Sequence, residues 1–481
     1  MGLLGILVGL GFLMALAFKG WSILLLAPIG ASIAAAFSAE PLLASWTQTF
    51  MPAAAGFVAQ FFPLFLLGAL FGKLMDDSGS VNAIADYMTR TLGPTRAILA
   101  VVLAGAIVTY GGVSLFVAFF VIAPMGIALF RAGGVPRRLL PGAVALGTTT
   151  FTMSALPGTP AIQNAIPMPF FGTTAFAAPG LGIIAALIMF GFGMWWLALR
   201  HRQAIAAGEG FGDAPPAKEP DKVTVRELAT TSREFDPAEI EASARTAELP
   251  PIGIAVLPLA VVIVVNLLMA MVVLPSLDFA FLADPRWGGT SIEAVGGVWA
   301  VAVALLAGIA TLLVASARRL PSVRDSMAAG ANASVLPILS VASLVGFGAV
   351  VAALPAFEVV KEWVLGIDGG PLVSLAVATN ILSALTGSAS GGMTIALEAL
   401  GPTFMQIAAQ TGLDPSLMHR VAVISSGTLD SLPHNGAVVT MLAVCGCTHR
   451  QSYLDVVMVA IVGALLGLVA VIVLGSLFGS F

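Results

Sequence analysis

Long apolar runs separated by short polar clusters set the pattern of this chain. Eight runs are nearly uninterrupted: 2–18, 21–38, 55–75, 180–199, 252–274, 292–315, 332–354 and 453–478. A helix needs about 20 apolar residues to cross a hydrocarbon core ~30 Å thick, so these runs predict eight plain crossings. Two other stretches differ. In 97–130 the apolar run stops at Thr109-Tyr110-Gly111-Gly112-Val113-Ser114, after an arm that covers only 97–110. At ~1.5 Å per residue that arm is about 21 Å long, too short to span. In 372–410 an equally short arm (372–385) stops at Thr386-Gly387-Ser388-Ala389-Ser390-Gly391-Gly392. Both predict re-entrant hairpins with tips near the midplane, where non-helical backbone survives only if buried in protein or facing water. A broken helix is expected after each, over 138–170 and 417–448. The first breaks across Ser154–Asn164 (SALPGTPAIQN) and the second across Gly427–Asn435 (GTLDSLPHN). Pro157, Pro160 and Pro433 remove backbone donors and open these helices.

The interruptions recur at a fixed distance. Gly-Gly-Val-Ser at 111–114 is echoed by Gly-Ser-Ala-Ser at 387–390, and the prolines 157 and 433 keep the same offset of 276. Paired breaks in duplicated halves mark a secondary transporter whose site is lined by the breaks. If hairpins enter and leave on one side and all other segments cross, 18 of the 21 Lys and Arg fall on one side. The other side receives Arg286, Lys361 and Arg420; without residues 200–250 the split is still 11 to 3. The richer side is expected in the cytoplasm. Eight plain and two broken crossings then put both termini outside. Five crossings per half is an odd number, so the second copy must be inverted.

The expected fold is therefore an all-α polytopic membrane protein of about ten crossings plus two hairpins. A first repeat (1–199) and a second (251–481) are joined by a mixed-charge cytoplasmic linker (200–250), which has room for one short helix. Composition agrees: 58% of residues are hydrophobic and 10% charged, against roughly 25% charged in a soluble domain. Scattered basic residues and a net charge of −4 give no nucleic-acid footprint. Cys445 and Cys447 are too few for a disulfide framework and read as packing residues. No basic residue precedes the first apolar run, so it reads as a retained helix rather than a signal peptide.

Ionisable groups inside membrane sequence are costly and mark function by default. Asp430 and His434 in the second break could hold and release a coupling proton; a structural bond closing the broken helix is the alternative. Glu398, on the outgoing arm of the second hairpin, is a further candidate carrier, or an acid bonded to a neighbouring Ser, Thr or Trp. Asp76 and Asp77 follow Lys73 at a helix end and read as interfacial. No Lys or Arg falls within the core segments on this map, so an anion would be held by neutral groups and helix N-termini. The candidates are Tyr110, Gly111, Gly112 and Ser114 at one tip, facing Thr386, Ser388 and Ser390 at the other. Ser154, Thr159, Gln163 and Asn164 in the first break face Thr428, Ser431 and Asn435 in the second.

The sequence FLLGALFGKLMDDSGSVNAIADYM, the SALPGTPAIQNAIP break and the order of hairpin and broken helix resemble the gluconate permease (GntP) family of the ion transporter superfamily. The resemblance runs from about Phe57 onward. It implies uptake of small hydroxy-acid anions by proton symport, and a homodimeric elevator in which 2–75 and 252–354 form most of the scaffold. The chain departs from the family at both breaks, with Leu156-Pro157-Gly158-Thr159-Pro160 in the first and Asp430-Ser431-Leu432-Pro433-His434-Asn435-Gly436 in the second. Leu156, Ile162 and Ile166 favour a shorter, less hydroxylated acid such as 3-hydroxybutyrate over gluconate. The expected protein is thus a bacterial inner-membrane carboxylate transporter without cofactor or metal. Its expected partners are a coupling proton, the bilayer and a second copy of itself. Sodium coupling on the same fold is one alternative. An intramembrane serine hydrolase is another, since Ser431 lies near His434, but no G-x-S-x-G is present.

Overall fold

The computed structural model describes residues 2–17, 19, 21–212, 249–433 and 435–481. His434 and residues 213–248 lie outside the described residues, and with them one member of the expected proton pair and most of the linker. All regular structure among the described residues is helical. The first half contains α1 (Gly2–Ala17), α2 (Ile23–Phe37), α3 (Leu42–Asp77), α4 (Ser80–Leu92), α5 (Ala97–Tyr110), α6 (Leu115–Gly133), α7 (Leu140–Thr148) and α8 (Pro179–Ala206). The second half contains α9 (Ile252–Ser276), α10 (Ile292–Ser316), α11 (Val323–Ala353), α12 (Phe357–Leu365), α13 (Pro371–Thr386), α14 (Ala389–Thr411), α15 (Pro415–Ser426), α16 (Gly436–Val444) and α17 (His449–Phe478). Seven of the described helices are long and apolar enough to cross a membrane. They are α3, α6, α8, α9, α10, α11 and α17.

Each predicted run coincides with a helix, and three differences stand out. Helices α1 and α2 have only 16 and 15 residues and pack on one another. Being consecutive, they leave the parity of crossings unchanged if both span or neither does. The third run extends into a 36-residue helix, longer than a straight crossing needs. Helix α8 continues to Ala206, so the start of the expected linker is helical.

The offset of 276 carries α2 onto α10 and α3 onto α11. It likewise carries α5, α6, α7 and α8 onto α13, α14, α15 and α17. It also pairs α4 with α12, two helices that the apolar runs did not predict. Helix α4 is bent 101° from the arm that follows and is amphipathic. Val81 and Ile84 are buried, whereas Tyr87 and the Asp86–Arg90 ion pair (2.9 Å) face out. A helix lying along an interface shows this pattern, and a search for unbroken apolar runs misses it.

Equivalent helices cross antiparallel, which is what inversion requires. Gly330 lies against Leu70 and Gly346 against the Phe50 ring, so the register of α11 rises as that of α3 falls. In the same sense Gly463 meets Phe192, Gly467 meets Met189, and the Phe481 carbonyl accepts from Gly180 N (2.8 Å). At one end the second repeat grips the strap between α6 and α7. Arg137 Nε donates to the Cys445 carbonyl (2.9 Å), and Arg138 and Arg200 reach the buried Asp455 carboxylate at 3.5 and 3.0 Å. Arg138 also forms a two-pronged pair with Glu209, and this hydrogen bond holds the Glu209 carboxyl below its usual range.

Candidate functional site

Each hairpin tip is fastened to the break of its own half. Tyr110 Oη donates to the Pro157 carbonyl (2.8 Å), and Thr109 Oγ1 donates to Thr152 Oγ1 (3.0 Å). Gly112, at φ +97°, lets the tip chain turn flush against Pro160, where a side chain would collide 2.6 Å from its ring. In the second half Asn435 does the fastening. Its Nδ2 donates to the Gly387 carbonyl (2.8 Å) while its Oδ1 accepts from Ala437 N (2.6 Å) and Val438 N (3.3 Å), capping α16. Non-helical backbone inside a bilayer requires such partners.

The breaks enclose two adjoining cavities. The smaller lies between the breaks and is lined by Ser154 and Gln163 from the first, Asp430, Ser431 and Asn435 from the second, and Ser426 at the end of α15. The larger lies between the tips and helices α3 and α11, with Ser114 and Ser390 on its wall. Leu115, Met153 and Gln163 border both. Gln163 is 7% exposed and its Oε1 accepts no hydrogen bond among the described residues, so it presents an acceptor to either space. Asp430 accepts from Ser431 Oγ (3.1 Å), and Tyr453 Oη donates to the Ser431 carbonyl (3.2 Å). The variants Ser114→Cys and Ser390→Cys are expected to react with a charged thiol reagent despite their mid-membrane position by hydropathy. Unreactive thiols at both positions would remove the larger cavity from any aqueous path.

Other predicted residues hold the framework instead of facing the cavities. Thr159 Oγ1 accepts from Ala161 N (3.3 Å), and Thr386 and Thr428 donate to the carbonyls four residues back, those of Leu382 and Ile424. Ser388 caps α14 by accepting from Gly391 N, and Gly111 meets Leu259 of α9. Glu398 is half-buried on α14 and lines neither cavity, and among the described residues no hydrogen bond joins it to the Ser, Thr or Trp partner expected for it. Asp76 and Asp77 stand at the end of α3 as expected, and both are buried with Lys73, which pairs with Asp77 at 3.1 Å.

Asn164 belongs to a network that sequence reasoning missed. Its Nδ2 donates to the Thr159 and Ala175 carbonyls, both at 3.0 Å. Its Oδ1 accepts from Arg420 Nη1 (3.4 Å) and lies 3.2 Å from His419 Nε2. An amide so oriented requires the proton on His419 Nε2, which leaves Nδ1 to accept from Thr173 Oγ1 (2.7 Å). Arg420 is fully buried in α15. It donates to the Ala177 carbonyl (2.7 and 3.2 Å) and to that of Ser154 (3.2 Å). The expectation that no cation lies within the core is thus overturned. Counting basic residues by side assigned Arg420, near the start of the broken helix 417–448, to the outer side. The offset of 276 could have found it, since it sets Arg420 opposite Val144 in the apolar helix α7.

A sequence model described as GntP family permease matches residues 1–199, and one described as the Na+/H+ antiporter family matches residues 162–476. The chain is 39% identical over 488 residues to the Bacillus subtilis (strain 168) protein described as uncharacterized transporter YxjC, with 100% of each chain covered. A Haemophilus influenzae protein, also described as an uncharacterized transporter, is 35% identical over 121 residues. That match covers 25% of this chain and 27% of its own. Among solved structures the fold is similar to Neisseria gonorrhoeae MtrF, reported as illuminating a class of antimetabolite efflux pumps. The TM-score is 0.52 at 13% identity, covering 91% of this chain and 84% of that one. It is similar also to the Alcanivorax borkumensis YdaH transporter, reported to have an unusual topology. There the TM-score is 0.52 at 16% identity, with 88% and 87% covered.

Proposed function

The chain belongs to the GntP permease family of membrane transporters, with its later part matched by the Na+/H+ antiporter family, and on that premise we propose that it carries a small organic carboxylate together with a proton. One observation carries the reading. The small cavity between the breaks has a carboxylate, Asp430, on its wall, and a guanidinium, Arg420, donates to the carbonyl of Ser154, which lines the same cavity. Positive potential from Arg420 favours an anion, and Asp430 opposes it until a cation neutralises that charge. A proton on Asp430 and an anion in the cavity would then enter together. The hydrolase alternative has no support: Ser431 donates directly to Asp430, and the full-length relative is a transporter by description.

Sodium coupling is the second reading, favoured by buried oxygens on α13. Thr379 Oγ1, Asn380 Oδ1 and Ser383 Oγ have no hydrogen-bond partner among the described residues, and oxygen ligands of this kind suit a hard cation. Alternating access would follow an elevator, the hairpins and broken helices moving against α3 and α11 in a homodimer of the bacterial inner membrane, with both termini outside. In proteoliposomes, uptake of labelled C4–C6 hydroxy acids should saturate and should follow an imposed pH gradient without sodium. Uptake that depends on sodium alone selects the second reading, and no saturable flux of any acid overturns both. Reversing the gradient tests direction, since MtrF is described as an efflux pump.

A further inference from the structure

We infer that Arg420 is the specificity-determining charge of the small cavity, selecting a monoanion through its potential from behind the wall and not by contact. The inference rests on the transport reading above. The hydrogen-bond partners of Arg420 among the described residues are neutral: the Ala177 and Ser154 carbonyls and Asn164 Oδ1. They take up four of its five N–H groups and leave its unit charge in place. No carboxylate pairs with it among the described residues, and an intramembrane cation without one is rare. The neighbouring His419 is committed on both ring nitrogens to neutral partners, so it supplies no counter-charge.

The charge is present on one side of the pseudo-symmetry alone, because the equivalent positions are Ala143 and Val144. Ser154, whose carbonyl Arg420 holds, lines the cavity. A unit charge about 8 Å from a bound anion, at an effective dielectric of about 20, changes its affinity roughly thirtyfold. A purely structural Arg420 would stitch the first break to α15 and would treat charged and neutral ligands alike. The two roles therefore separate in a measurable ratio.

The test is binding of gluconate and 3-hydroxybutyrate to the purified full-length protein, each compared with its neutral amide. In the unmodified protein at least one acid should bind about tenfold or more tightly than its amide. Arg420→Lys should keep most of that preference, and Arg420→Gln should bring it close to one. Asn164→Asp places a carboxylate against Nη1 while keeping the guanidinium, so it should also erase the preference, and it decides the matter if Arg420→Gln does not fold. A preference unchanged in Arg420→Gln or in Asn164→Asp overturns the inference. Acid and amide binding equally to the unmodified protein overturns it and leaves transport standing. Acids that do not bind at all defeat the carboxylate reading and the inference with it.

Discussion

Asp430→Asn is expected to abolish gradient-driven accumulation while leaving exchange of substrate across the membrane. Asp430 is the carboxylate on the wall of the small cavity, and Ser431 Oγ donates to it at 3.1 Å. With Asp430 ionised, its charge and that of Arg420 cancel, so an incoming anion leaves the site net negative in a poorly solvated place. Moving that charge through a dry barrier is costly, and a proton on Asp430 removes the cost. An asparagine keeps the hydrogen-bonding shape and leaves Arg420 as the charge of the site, so the site becomes neutral when the anion binds and no proton is needed. Exchange needs no net proton movement and continues. Accumulation under a pH gradient of one unit should fall from about tenfold to none, because one proton per anion is worth that factor. Concentrative uptake by Asp430→Asn with unaltered pH dependence would move the coupling role to Glu398 or to the unpartnered oxygens on α13. His434, three residues before Ala437, stays a candidate from sequence, and His434→Ala should shift the pH optimum or stop transport.

The positions of the breaks were legible because hydrocarbon sequence makes every polar interruption conspicuous. Thr109–Ser114 and Ser388–Ser390 fall where α5 gives way to α6 and α13 to α14. What each polar residue does there was not legible. A hydroxyl can donate to the carbonyl four residues back, as Thr386 and Thr428 do, or face a cavity, as Ser114 and Ser390 do. Side-chain direction decides between the two, and composition does not carry it. Arg420 was misplaced for a related reason. Hydropathy treats a charged residue as a loop signal, yet here carbonyls released by the Pro157 break and by the turn at Ala177 supply enough acceptors to bury a guanidinium. The amphipathic helices α4 and α12 went unseen because interface helices lack the continuous apolar run. The repeat offset, extended beyond the breaks, would have exposed both the helices and the charge.

A disulfide formed in the double variant Gly111→Cys, Leu259→Cys should stop transport completely while leaving ligand binding measurable. Gly111 forms the first tip, and Leu259 projects from α9, which belongs to the expected scaffold. A β-carbon at Gly111 would lie 3.0 Å from that of Leu259, a little closer than the usual disulfide spacing of about 3.8 Å, so the pair can bridge after a small adjustment. Two turns further along α9, Asn266 Nδ2 donates to the Gly158 carbonyl in the first break (3.0 Å). One face of α9 therefore addresses both the tip and the break, and in an elevator these contacts must part each time the block moves. The bridge would hold them together, and a reductant should restore flux. Crosslinking at mid-tip leaves the small cavity untouched, because neither Gly111 nor Leu259 lines it. If the fully oxidised double variant transports at the rate of its reduced form, α9 travels with the hairpin. The moving block would then include α9, and the sliding surface would have to lie at α3 and α11, where the larger cavity already separates the tips from the helices.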